Sequence, residues 1–86
     1  MTIINQDRDN HIHYTNQRLF CLPVYMASKD LTVIGFNIYA EGEEDFLGTF
    51  DNVWEAVGEM VSIQNCENDE YYVNGYSGEL NEYGEM

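Results

Sequence analysis

Carboxylates are the residues of this chain best placed to do chemistry. Asp51, Glu55 and Glu59 recur at i, i+4 and i+8, the spacing that lines side chains up along one helix face. The run Glu41-Gly42-Glu43-Glu44-Asp45 precedes that row, and Glu67-Asn68-Asp69-Glu70 follows it. Three uses of such side chains compete. A carboxylate pair does the acid–base work of glycoside hydrolysis, but among 16 Asp and Glu in 86 residues some pair always falls at a suitable spacing. An oxygen-rich acidic loop binds Ca²⁺, and the two acidic runs are the places for it. Neither run carries the D-x-[DN]-x-[DN]-G spacing of an EF-hand. The third use is attraction of a basic partner.

Other reactive residues point less far. His11 and His13 alternate, so a strand would put them on one face. His-x-His can begin a metal site, yet the chain has no further His. They read as exposed side chains of an N-terminal arm. Cys21 and Cys66 lack metal-ligand spacing, and Cys21 lies in an apolar run, so it reads as a buried reduced thiol. No G-x-x-x-x-G-K-[ST], G-x-S-x-G or H-E-x-x-H motif is present. The expectation is a protein that is not an enzyme and needs no cofactor.

The charge is one-sided. Sixteen acids face three bases, a formal net charge of −13. Residues 1–29 hold Arg8, Arg18 and Lys29 against Asp7 and Asp9, a net +1, and the other 14 acids lie beyond Lys29 with no Lys or Arg among them. Self-repulsion makes such a balance costly, and solubility needs less charge in a small domain. Direct nucleic-acid binding is not expected, because nothing here neutralises phosphates. A basic protein partner is.

Several elements must carry these residues. Eighty-six residues make one domain, and its 12 aromatic residues argue against disorder. Residues 1–17 read as an N-terminal arm or edge strand, with turn chemistry at Asp9-Asn10 and Thr15-Asn16. Arg18–Met26 is a nearly continuous apolar run and predicts a strand, with Pro23 marking an edge or a bulge. Leu31–Ala40 predicts a second strand, with Ile34, Phe36 and Ile38 facing the helix and Gly35 at a bulge or close approach. Phe46–Phe50 is a short strand or an ordered lead into the helix. Asp51–Ile63 predicts that helix, with Asp51 as N-cap and Val53, Trp54, Val57, Met60 and Val61 as the buried stripe. Gly58, costing about 1 kcal/mol against Ala, would let the helix approach the sheet. Tyr71–Tyr76 predicts the last strand, and Ser77–Met86 a mobile acidic tail. The sum is an α+β fold, a small antiparallel sheet of three or four strands with one helix on a face.

Asp51 has a capping role and the positive end of the helix beside it. Glu59 has neither, which makes it the sharpest single test of an acidic working face. A row at i, i+4, i+8 spaces carboxylates about 6 Å apart along the axis, a coarse echo of a phosphate backbone.

Val24-Tyr25-Met26-Ala27, then Ile34-Gly35-Phe36-Asn37-Ile38, then the acidic helix, then Glu70-Tyr71-Tyr72-Val73-Asn74-Gly75-Tyr76 together resemble the N-terminal domain of the DNA-mimic antirestriction proteins. The likeness covers about residues 24–80; the family's aspartate near position 74 is missing. The resemblance implies a phage or mobile-element inhibitor of a host DNA-targeting defence protein, a restriction enzyme or a CRISPR effector. It also implies a homodimer. The expected partner is a basic nucleic-acid-binding protein of the host, met by Asp45, Asp51, Glu55, Glu59, Glu67, Asp69 and Glu70 with Tyr71 and Tyr76. Reversing Glu55 and Glu59 together should then abolish binding and leave the fold intact. The alternative is a calcium-binding or generic acidic interaction module. No signal peptide is evident and no apolar run approaches the ~20 residues of a membrane span, so a cytoplasmic protein without membrane contact is expected.

Overall fold

The computed structural model describes residues 1–26 and 32–75. Their elements are β1 (Thr2–Ile4), β2 (His11–His13), β3 (Leu19–Tyr25), β4 (Val33–Ala40), β5 (Gly48–Phe50), α1 (Val53–Asn65) and β6 (Glu70–Tyr72). The two apolar runs become an antiparallel pair, and β5 adds to it in the order β3-β4-β5. Helix α1 packs on this sheet, which makes the fold α+β with a helix on an antiparallel sheet. Strand alternation explains the contact face: Leu19, Ile38, Ala40 and Phe50 are buried, while Phe20 and Tyr39 stack on the other side.

Punctuation in the sequence takes its expected form here. Pro23 lies on the edge strand, where its missing donor costs nothing. The register shifts between Val24 and Tyr25, which pair with Gly35 and Val33. Ile34 is therefore the unpaired bulge residue and is exposed, not turned to the helix with Phe36 and Ile38 as expected. A Cβ on Gly35 would lie 3.0 Å from the Phe50 carbonyl oxygen, so close approach demands glycine there.

Residues 1–17 are not an arm. β1 is the central strand of a second sheet, β2-β1-β6, antiparallel to β2 and parallel to β6. Ile3 and Ile4 are both buried, as a central strand requires. Asn5 builds the turn between β1 and β2 by accepting from the Asp9 and Asn10 amides at 3.0 and 3.1 Å. The last strand is shorter than Tyr71–Tyr76, though Val73 N–H extends the ladder by donating to Ile4 O at 3.0 Å. Tyr76 and the tail 77–86 lie outside the described residues. One core joins both sheets: Ile3, Ile12 and Val73 from the second, Leu19 and Ile38 from the first, Ala56 and Ile63 from α1.

Helix α1 differs from expectation in its cap and its rotation. Asn52, not Asp51, is the N-cap; its Oδ1 accepts from Glu55 N–H at 3.0 Å. Asn caps as well as Asp, and Asp51 is left exposed. The buried helix residues are Ala56, Glu59 and Ile63. Of the predicted stripe, Val53 and Met60 are half-buried, while Trp54, Val57 and Val61 are exposed. Relative to the predicted stripe, the buried face is turned by about a third of a turn at 3.6 residues per turn. Small Ala56 lets the helix sit close, and Glu59 finds hydrogen-bond donors inside. Gly58 does not face the sheet: a Cβ there would meet nothing within 4 Å.

Candidate functional site

Glu59 overturns the simplest picture of an acidic helix face. It is only 7% exposed. Tyr71 Oη–H donates to its Oε2 at 2.7 Å, Asn74 N–H to the same oxygen at 2.9 Å, and Asn74 Nδ2–H to Oε1 at 2.8 Å. A buried carboxylate is costly unless donors replace its water, and these three do so. The bonds tie α1 to the chain leaving β6. The phenol of Tyr71 is held well above the ordinary tyrosine pKa, first by burial and then by its bond to the Glu59 carboxylate. Glu59 and Tyr71 thus hold the fold together. Reversing the charge at 59 would remove this acceptor, so the Glu55 and Glu59 double reversal should cost stability as well as surface charge.

Asp51, Glu55 and Glu59 still share one space. They line an open groove of about 580 Å³ between α1, the residues just before it, and Asn74-Gly75. Of these three carboxylates, only Asp51 and Glu55 are exposed. Asp45 lies elsewhere, beside a hollow of about 250 Å³ that Asp7 and Asp9 also line. Glu67, Asp69 and Glu70 are exposed and follow the C-terminal end of α1. Glu70 pairs with Thr2, whereas the Asp7–Asp9 turn leaves β1 beyond Ile4. The register thus sets Glu67–Glu70 and Asp45 at opposite ends of that sheet.

Beyond Lys29, the exposed described carboxylates are Glu41, Glu44, Asp45, Asp51, Glu55, Glu67, Asp69 and Glu70. The last turn of α1 has no basic residue, so the acids after it oppose the helix dipole. The two described arginines are engaged with their own chain. Arg8 donates to Val73 O at 2.9 Å and lies 5.2 Å from the centre of the Tyr72 ring. Arg18 lies 5.2 Å from the centre of the Phe20 ring.

Two features had weak signals in the sequence. Gln6 is a clasp: its Nε2 donates to Thr49 O at 3.1 Å and Asn74 O at 2.9 Å, and its Oε1 accepts from Thr49 N–H at 2.9 Å. Its partners lie 43 and 68 residues away, beyond any local pattern. The other is the outer pole of α1. Trp54 is 80% exposed, and Val57 and Val61 join it, within an arc of about 60° at 3.6 residues per turn. The spacing was visible, but it read as the buried stripe.

Among the described residues no three His, Cys, Asp or Glu side chains are grouped to hold a metal ion. His11 and His13 are both exposed on β2, and Cys21 and Cys66 are free and half-buried. No described helix is long and apolar enough to cross a membrane. The described surface carries dispersed carboxylates near both ends of α1 and an apolar outer pole on it. No protein-family model, curated protein or solved structure matches the chain.

Proposed function

We propose that this chain is a binding protein that inhibits a host DNA-targeting defence protein, a restriction enzyme or a CRISPR effector. It occupies that protein's basic nucleic-acid-binding surface with carboxylates in place of phosphates. The observation that carries the reading is the eight exposed carboxylates among the described residues beyond Lys29, in a stretch with no Lys or Arg. A partner with a Lys- and Arg-lined groove supplies the missing counter-charge, and association is steered by the long-range field. The choice of a defence protein rests on the resemblance to antirestriction proteins. The contact set is Asp45, Asp51, Glu55, Glu67, Asp69 and Glu70, with Glu59 and Tyr71 as the internal brace.

The test is competition with DNA. Purified chain is added to restriction enzymes and DNA-targeting CRISPR effectors, and DNA binding is followed by gel mobility at low and high salt. DNA should be displaced at low salt, with steep weakening as salt rises. The variant D51N/E55Q/D69N should displace less while melting like the parent. If no such enzyme loses DNA at low salt, the reading fails.

A further inference from the structure

The carboxylates account for attraction, but not for Trp54. The chain's only tryptophan is 80% exposed on a helix, with Val57 and Val61 beside it. Gly58 lies on the same pole, and an added Cβ there would meet nothing within 4 Å. A glycine in a helix interior is costly, and neither close packing nor a left-handed φ requires this one. The pole is framed by acid: Asp51 and Glu55 at one end of α1, Glu67, Asp69 and Glu70 beyond the other. The 13 helical residues span about 20 Å at 1.5 Å per residue. An apolar centre with a charged rim is how protein interfaces are built, and tryptophan is enriched at their hot spots.

We infer that the outer pole of α1, Trp54, Val57, Gly58 and Val61, is the anchor of the partner interface, and that it takes an apolar patch of a protein flanked by Lys and Arg. This rests on the acidic-surface reading above and adds that charge alone does not hold the partner. Charge complementarity selects the occupant. A second copy brings the same net charge of −13, and residues 76–86 bring three further acids and no base, so both are repelled. A second exposed apolar set, with Leu22, Tyr25, Val33 and Ile34, lies on β3 and β4. No acid occurs in either strand, whereas α1 carries Glu55 in its first turn.

Trp54 reports on its own site, because no other indole emits. The probes are a short helical peptide of leucine and lysine with leucines at helical spacing, and an oligolysine of equal charge. The leucine–lysine peptide should shift Trp54 emission to shorter wavelength and bind at least about tenfold more tightly than oligolysine. With labelled peptide, Trp54→Ala and, separately, Val61→Gln should each remove most of that advantage while melting like the parent. If parent and both variants bind the two peptides equally well, the pole is not in the interface and only the acidic reading stands. If neither peptide binds at low salt, both fall. If emission shifts with protein concentration alone, the occupant is a second copy and the inference is overturned.

Discussion

The two sides of α1 reverse the usual arrangement. The inner side holds a carboxylate, Glu59, and the outer pole holds a tryptophan. What decides the placement is not polarity but whether a side chain finds partners. Glu59 finds three donors inside, which offset the loss of its water. Trp54 stays 80% exposed. Single exposed apolar residues are ordinary; three within one arc, beside a glycine that packing does not require, are not. The inner side is thus explained by the fold, and the outer side is not.

The largest effects should come from the inner side. Glu59→Ala leaves Tyr71 Oη, Asn74 N–H and Asn74 Nδ2 without their acceptor. Hydrogen bonds to charged groups are worth about 1.5–3 kcal/mol each, so a loss of about 3 kcal/mol or more is expected. That lowers the melting temperature by more than about 10 °C, given roughly 4–8 °C per kcal/mol for a domain of this size. Ile63→Ala should cost a similar amount, about 2–5 kcal/mol, through the cavity it leaves. Val61→Ala, two residues away but exposed, should stay within about 0.5 kcal/mol. Urea denaturation of the three variants checks the set. Equal losses at 61 and 63 would mean that the helix is rotated from the orientation described.

Tyr71 gives the comparison a pH dependence. Its folded pKa lies above the ordinary value near 10. Between the two values the native state keeps a proton that the unfolded chain has lost, so stability falls as pH rises. Its contribution is complete below about 10 and is lost as pH climbs through the raised folded value. Tyr71→Phe should cost about 1.5–3 kcal/mol at neutral pH by removing the bond to Glu59. It should also flatten the alkaline decline. Melting curves of parent and variant between pH 8 and about 11 test this; parallel declines would place the alkaline sensitivity elsewhere.

The same junction shows why the sequence could be read only in part. The long strands, Pro23 at an edge, Gly35 at a close approach and the helix itself were legible, because each depends on nearby residues. The facing of α1 was not. Val53, Trp54, Val57, Met60 and Val61 form a regular apolar period, and amphipathic logic turns that period inward. The true inner face is set by Tyr71 and Asn74, 12 and 15 residues downstream of Glu59. The second sheet was hidden for a similar reason: it pairs Thr2–Ile4 with Glu70–Tyr72 in parallel, through strands too short to show a period. Of the site, the exposed acids were legible from charge alone. Glu59 was misplaced because its donors are not local.

The outer side should give the smallest changes, and in the opposite direction where there is one. Gly58→Ala meets open space and removes a helix-interior glycine, so it should stabilise by about 0.5–1 kcal/mol. Trp54→Ala should change stability by less than about 0.5 kcal/mol, although tryptophan is the largest side chain in the chain. Calorimetry of both variants is the measurement. A drop of several degrees on losing Trp54 would mean that the indole packs on its own helix, and the contrast between the two sides would disappear. A flat result would leave a tryptophan that the fold does not need, in a chain of net charge −13.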